Sequence, residues 1–140
     1  MLLAFFIFIE AVMNIAHGNF TVEYKDNIIY VVLEGAFNEY SVANWANEIK
    51  SIINSLNGDR FSILMDMNLA DGGTPESFKV SNQYNAWLNE QNMVAKALIY
   101  GSSVLEDMDN TLVASKKNQN TKVFNNVELA ESWLQEQFLL

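Results

Sequence analysis

The residues with the most evident chemical potential lie in one short stretch that combines carboxylates, glycines and hydroxyl groups. The stretch contains Asp66, Asp71, Gly72, Gly73, Thr74 and Ser77. Paired carboxylates can hold a cation or share acid–base work, and glycines ahead of a helix expose backbone N–H groups that bind anions. A phosphate-binding loop also requires a lysine in fixed register, which Lys79 does not provide. The pattern is typical of a flexible loop before a capped helix, and its functional interpretation is a loop that contacts a partner or ligand.

Other reactive side chains are few. The chain has no cysteine and a single histidine, His17, which excludes disulfides, thiolate metal sites and any pair of histidine ligands. His17 precedes the first predicted strand and has no evident serine or acid partner, whereas a general base must be positioned against its substrate. We therefore expect no catalytic residue, no metal and no cofactor, and predict that the protein is not an enzyme.

The charge balance narrows the class of partner. Seventeen acidic residues against eight basic ones give a formal net charge of -9, and this field repels nucleic acid and anionic membranes. The acidic run from Glu106 to Asp109 is typical of a solvated face near a helix start. The basic cluster of Lys116, Lys117 and Lys122 is either an anion site or a set of helix-dipole partners.

From residue 19 onward the hydrophobic period alternates between strand and helix values. The predicted strands cover residues 20–24, 28–33, 61–67, 94–100 and 122–124. Four helices are predicted, and the first covers residues 39–56. The second begins at Thr74, and its apolar face carries Val80, Tyr84, Trp87 and Leu88. The third follows Ser103 and directs Val104, Leu105, Met108 and Leu112 inward, and the last has the apolar residues Val127, Ala130, Trp133, Leu134 and Phe138.

Local signals set the ends of these elements. Residues 25–27 predict a tight turn, and Gly35 is expected to end the second strand. Residues 74–75 supply a threonine N-cap followed by a proline at the first helical position. Ser103 with Glu106 matches the capping-box spacing.

The resulting element order is β-β-α-β-α-β-α-β-α. Strands separated by helices of this length pair in parallel through right-handed crossovers, whereas the first two strands are close enough for an antiparallel hairpin. The sequence therefore predicts a single α/β domain with a mixed, mostly parallel five-stranded sheet and helices packed against it.

Four segments carry a resemblance to a known family. They are the hairpin NFTVEYKDNIIYVVLEG, the strand FSILMDM with Asp66, the strand AKALIYG and the final TKVFNNVELAESWL. In this order they resemble the STAS domain (sulfate transporter and anti-sigma factor antagonist), and more closely its SpoIIAA-like branch, over about residues 19–138. This branch shares its outline with Sec14-type lipid-binding domains.

The resemblance implies a function and a site. In anti-sigma factor antagonists an aspartate at the end of this strand is followed by a phosphorylatable serine at the start of the next helix. Asp66 and Asp71 match by position, whereas Gly72 and Gly73 stand where the serine is expected, and Thr74 is the nearest hydroxyl. The implied function is a bacterial regulatory module that binds a protein, such as an anti-sigma factor of the kinase type. We expect its contact surface at residues 66–77 and the helix that follows them.

The Sec14-type outline implies an alternative, a carrier of a lipid or small apolar ligand. Such a carrier requires a pocket lined by large apolar side chains. Trp45, Trp87 and Trp133 each fall on the apolar stripe of a predicted helix, where core packing is the first expectation and a pocket wall the second.

The N-terminal residues 1–18 are expected to be an extension ahead of the domain at 19–140. Residues 1–12 are apolar but interrupted by Glu10, lack a basic start and are short for a bilayer. Met13 offers an alternative start. Two other interpretations of the apolar segment are a helix that packs on the domain and a segment directed to a membrane. If translated, the apolar segment favours a homodimer, and a cytoplasmic location is the default.

Overall fold

The computed structural model describes residues 16–140. Its strands are β1 (Asn19–Lys25), β2 (Ile28–Phe37), β3 (Phe61–Gly73), β4 (Met93–Tyr100) and β5 (Thr121–Val123). Its helices are α1 (Glu39–Ser55), α2 (Pro75–Leu88), α3 (Ser103–Leu112) and α4 (Val127–Leu139), with a 3-10 helix at Ala114–Asn118. Three predictions lie outside the described residues: the extension over 1–12, the alternative start at Met13 and a dimer contact through these residues. The domain boundary at residue 19 stays a prediction.

The five strands form one sheet in the order β1-β2-β3-β4-β5. β1 and β2 pair antiparallel, and every other neighbouring pair is parallel. The hairpin turn holds Asp26 and Asn27 at φ of 52° and 68°, as a two-residue turn that follows the strand twist requires. The predicted element order, the mixed sheet and the turn at residues 25–27 are therefore confirmed.

The sheet carries helices on both faces, in unequal numbers. α1, α2 and α3 cover one face and bury its larger core, whereas α4 covers the other face against a smaller core. Side chains alternate between the faces along β4 because successive residues of a strand point in opposite directions. Ala95, Ala97 and Ile99 meet α4, while Lys96 and Leu98 lie on the side of α1–α3. Within residues 16–140, no helix has the length and apolar character that crossing a bilayer requires.

β2 and β3 are longer than the sequence predicts. Gly35 does not end β2, and residues 68–73 are not a free loop, because Glu34–Phe37 pair with Leu69–Gly73. Two register shifts each give β3 one more residue than β2, and Gly35 takes a φ of 83° beside the second. Glycine in the left-handed region is a common means of accommodating a β-bulge. Gly35 and Gly72 therefore flank a register shift within a continuing ladder, and neither ends a strand.

The start of α3 also differs from the expectation. Ser102, not Ser103, is the N-cap, and its Oγ accepts a hydrogen bond from the Leu105 backbone N–H at 3.1 Å. Leu105 is buried as predicted, but Val104 is 65% exposed and Leu112 is exposed too. The predicted inward face was wrong for these two residues because α3 packs through a narrow stripe.

The three tryptophans divide between core and surface. Trp45 is buried and meets Tyr84 edge to face, with ring centroids 5.3 Å apart. Trp87 and Trp133 are half-buried, and the Lys50 ammonium lies 5.2 Å from the centroid of the Trp87 ring. The expectation of core packing is therefore confirmed in full only for Trp45.

Candidate functional site

The two aspartates of the sequence-predicted site occupy different places. Asp66 lies within β3, and its Oδ1 accepts a hydrogen bond from the Asn68 backbone N–H at 3.1 Å. Asp71 is exposed beside Gly72, which takes a φ of 119°. Asp66 thus has a local structural role, of the kind aspartates commonly perform beside a change of chain direction.

The start of α2 is capped as predicted. The Thr74 Oγ1 accepts a hydrogen bond from the Ser77 backbone N–H at 3.1 Å, and the Ser77 Oγ donates to the Thr74 carbonyl at 2.6 Å. Ser77 is buried and Thr74 is exposed. A side chain at Gly73 would collide with Ser77, since a Cβ would stand 2.3 Å from its Oγ. Of the two predicted hydroxyls, Thr74 is therefore the accessible one.

Two exposed apolar side chains, Leu69 and Val104, lie at the end of β3 and just after β4. Leu69 is 60% exposed at the end of β3, and Val104 is similarly exposed in the first turn of α3. The two segments adjoin, because a Cβ at Gly101 would stand 2.2 Å from the Asn68 carbonyl oxygen. We call the surface formed by residues 66–77 and 101–107 the carboxyl edge, since it follows the carboxyl ends of β3 and β4.

The carboxyl edge is acidic around its apolar residues. Asp71, Glu76 and Asp107 are all exposed there. In open α/β sheets, binding commonly occurs outside the carboxyl ends of the strands. The arrangement suits a partner that offers an apolar contact surrounded by positive charge.

A cavity of about 70 Å³ lies beneath this edge, between the sheet and α1–α3, and is partly open to solvent. Its apolar wall includes Leu33, Phe37, Val42, Met65, Phe78 and Leu98. Gly72, Gly73 and Ser77 also line it. Three residues of the sequence-predicted site therefore border a cavity that the sequence did not reveal.

The polar end of the cavity centres on Lys96 of β4. Lys96 is 3% exposed, and its ammonium donates a hydrogen bond to the Asn85 Oδ1 at 2.6 Å. The Gln119 Nε2 donates to the same Asn85 oxygen at 3.2 Å. Burial lowers the pKa of Lys96 to about 7, with a further lowering by Lys116 that Asp109 partly opposes. A lysine held in this way changes its charge near neutral pH, unlike an ordinary surface lysine.

A second lysine completes the polar end. The Lys116 ammonium forms an ion pair with Asp109 and donates to the Tyr100 hydroxyl at 3.0 Å. The Tyr100 hydroxyl in turn donates to Asp109 at 2.5 Å, and burial together with Asp109 raises the pKa of Tyr100. Asp109 and Lys116 are therefore not part of a solvated face or a helix-dipole cluster, as their sequence patterns suggested. They neutralise one another beside Lys96.

Two hydrogen-bonding groups of the cavity wall lack a partner. The Trp45 Nε1 and the Tyr84 hydroxyl are both buried and make no hydrogen bond within residues 16–140. Burial alone raises the pKa of Tyr84 above its ordinary value, so its hydroxyl stays protonated. A buried donor without a partner lowers the stability of the fold by about 1–3 kcal/mol. A ligand that carries a hydrogen-bond acceptor would satisfy either group.

Sequence reasoning missed Lys96 entirely. The available signal was a single charged residue at the centre of the otherwise apolar run VAKALIY, since lysine is rarely fully buried without a partner. Asn85 gave no signal, because an asparagine on a helix face reads as a surface residue.

The remaining sequence candidates do not join the cavity. His17 is exposed ahead of β1, and Lys117 and Lys122 are exposed as well. Among residues 16–140, no cluster of three histidine or carboxylate side chains is placed to hold a metal ion.

The fold defines a class of α/β domain with one hairpin strand, four parallel strands and α4 alone on the second face. Solved structures of other proteins share it, among them the following two. One is an uncharacterised protein of the DUF3478 family with a SpoIIAA-like fold from Shewanella loihica PV-4, at a TM-score of 0.64, 11% identity, and coverage of 86% of this chain and 95% of the other.

The second is the anti-sigma factor antagonist SpoIIAA in its unphosphorylated form. Its TM-score is 0.59 at 10% identity, with 87% of this chain and 100% of the other covered. No family model and no curated protein matches the sequence. The chain therefore has the SpoIIAA-like fold that its sequence pattern predicted.

Proposed function

We propose that the protein is a non-enzymatic regulatory module of bacterial cytoplasm that acts by binding another protein, in the manner of an anti-sigma factor antagonist. The observation that carries the proposal is the carboxyl edge, where Leu69 and Val104 expose apolar surface among acidic residues. Exposed apolar patches rimmed by polar residues commonly mark protein-binding sites. The SpoIIAA-like fold supports the same class of function.

The chemistry of the edge specifies the partner. Asp71, Glu76 and Asp107 surround the apolar residues, and the whole chain carries a formal net charge of -9. Complementary charge accelerates association and disfavours wrong partners. We expect a partner whose contact surface is apolar at its centre and basic at its rim.

The edge also differs from the phosphorylated site of its structural class. Ser77 is buried, and its hydroxyl is engaged by the Thr74 carbonyl. Thr74 is exposed at the start of α2, where a phosphate group is favoured by the helix dipole. If the edge is regulated by phosphorylation, Thr74 is the residue that we propose to carry the group.

The test is capture of partners from the native lysate with three tagged proteins. Leu69→Asp places a charge at the centre of the edge, and Leu129→Asp is its matched control because Leu129 is 58% exposed on α4. The proposal predicts a protein that wild type and Leu129→Asp capture alike and that Leu69→Asp captures at least about tenfold less, since a charge desolvated in an interface is costly. Equal capture by all three proteins would contradict it.

A second candidate function, carriage of a lipid or small apolar ligand, is favoured by the cavity beneath the edge. Its volume of about 70 Å³ is well below the range of about 300–1,000 Å³ that drug-sized ligands occupy. The cavity therefore favours a ligand of a few atoms over a lipid. Native mass spectrometry of the purified protein checks this, and a stoichiometric lipid would reverse the preference.

A further inference from the structure

The buried ammonium of Lys96 has only neutral hydrogen-bond acceptors. It donates to an amide oxygen of Asn85, while the only ion pair within residues 16–140 joins Lys116 to Asp109. Since Asp109 is already paired, the charged form of Lys96 leaves one uncompensated positive charge at the polar end of the cavity. A buried charge without a counter-charge is unfavourable, so a monovalent anion fits this position.

The orphan groups of the same cavity are also donors. The Trp45 Nε1 can only donate, and the protonated Tyr84 hydroxyl can donate. Neither has a partner within the described residues, and both side chains line the cavity with Lys96. The wall of the cavity therefore contains two donors without a partner and, when Lys96 is charged, a single net positive charge.

We propose that this cavity binds a short-chain monocarboxylate, whose carboxylate pairs with the Lys96 ammonium and accepts a hydrogen bond from Tyr84 or Trp45. The apolar body of the ligand lies against Phe37, Met65 and Leu98. This wall disfavours sulfate and phosphate, because strongly hydrated anions lose their water shell there without compensation.

The size of the cavity limits the ligand. A cavity of about 150 Å³ admits benzene, and this one measures about 70 Å³. Acetate and propionate fall within the limit, whereas long-chain fatty acids exceed it. Gly72, Gly73 and Ser77 border both the cavity and the carboxyl edge. The ligand is proposed to contact Lys96, however, and the partner protein to contact Leu69 and Val104, so either proposal can fail without the other.

The test is an NMR titration of the isotopically labelled protein with propionate, with propionamide as the uncharged control ligand. A ligand of few atoms binds weakly, so the titration extends to about 50 mM. We expect saturable shifts at residues of the cavity with propionate and none with propionamide. Lys96→Met removes the charge and keeps the length of the side chain. Lys117→Met is the matched control, because Lys117 is an exposed lysine next to Lys116 in the sequence.

The variants and the pH dependence make the assignment specific. Lys96→Met abolishes saturation, and Lys117→Met leaves it unchanged. Because the pKa of Lys96 lies at about 7, the charged fraction of its side chain, and with it the affinity for propionate, falls about 25-fold between pH 6.5 and pH 8.5. Asp109, Lys116 and Tyr84 are the other titratable groups around the cavity.

Three results would overturn the proposal. They are the absence of saturable shifts with propionate at pH 6.5, equal shifts with propionamide, and shifts that persist in a folded Lys96→Met protein. The amide spectrum of that variant establishes its fold in the same experiment. Binding of propionate at exposed lysines alone appears as shifts outside the cavity that Lys117→Met reduces, and this also counts against the assignment.

Discussion

The ammonium nitrogen of Lys96 lies 2.6 Å from the Oδ1 of Asn85, which makes a neutral amide the direct partner of a buried cation. The Asn85 Nδ2 donates to the Ser81 carbonyl at 2.9 Å, so the amide is fixed with its oxygen toward the lysine. This pair joins β4 to α2 beneath the carboxyl edge.

The pH dependence of stability follows from the lowered pKa of Lys96. Between the folded value of about 7 and the ordinary value of 10.5, the unfolded chain binds a proton at Lys96 that the folded chain does not. The free energy of unfolding of the wild type therefore rises with pH in this window relative to that of Lys96→Met. The slope is at most about 1.4 kcal/mol per pH unit.

Urea unfolding of both proteins at about pH 7.5, 8.5 and 9.5 measures this difference. We also expect Lys96→Met to be the more stable protein near pH 7, because replacing a buried charge with an apolar side chain is often stabilising. A difference that stays constant with pH would show that Lys96 titrates normally.

The Asn85 amide is expected to be the most sensitive polar side chain of the cavity. Asn85→Ala removes the acceptor of Lys96 and of the Gln119 amide, which lowers the free energy of unfolding by about 2–4 kcal/mol. Asn47→Ala is an exposed control on α1 and should change it by no more than about 0.5 kcal/mol.

A double-mutant cycle separates this role from simple loss of packing. In the Lys96→Met background no ammonium is left without an acceptor, so Asn85→Ala costs less there. We expect a coupling energy of about 1–3 kcal/mol between the two positions, measured by urea unfolding. Additive effects would contradict the pairing of the two side chains.

The contact between β3 and the β4–α3 turn depends on Gly101. Gly101→Ala places a methyl group 2.2 Å from the Asn68 carbonyl oxygen, and the backbone must shift at a cost of about 1–3 kcal/mol. Gly58→Ala is the contrasting control, because nothing lies within 4 Å of its Cβ and its φ is 89°. Its cost of about 1–2 kcal/mol is purely conformational.

Amide chemical shifts distinguish the two glycine variants. Gly101→Ala should move the signals of Asn68 and Leu69 at the carboxyl edge, whereas Gly58→Ala should leave them in place. Unchanged Asn68 and Leu69 signals in Gly101→Ala would argue against the close approach of these two segments.

Periodicity and capping predict the order of strands and helices along the chain and the mixed sheet, whereas the order of the strands within the sheet comes from the structure. The hairpin turn at Asp26 and Asn27 and the start of α2 at Thr74 and Pro75 follow from local sequence alone, because each uses contacts within a few residues. The extension of β3 to Gly73 was missed, since its glycines also suit a loop and only pairing with β2 distinguishes the two.

The cavity was beyond local reasoning for a related physical reason. Lys96, Asn85 and Lys116 come from β4, α2 and the 3-10 helix, and only tertiary packing brings them together and buries them. Asp109 and Lys116 each had a plausible local role in solvent, and only the fold brings them together. The sequence-predicted residues Asp66–Ser77 stay a proposed partner surface.

The most direct test of the protein-binding function is amide hydrogen exchange of the protein alone and in complex with its captured partner. Slowed exchange reports the backbone that a partner covers or orders. We predict protection confined to residues 66–77 and 101–107, at the carboxyl edge, with α4 unaffected. Protection centred on α4 and β5, with the edge exchanging as in the free protein, would contradict the proposed binding surface.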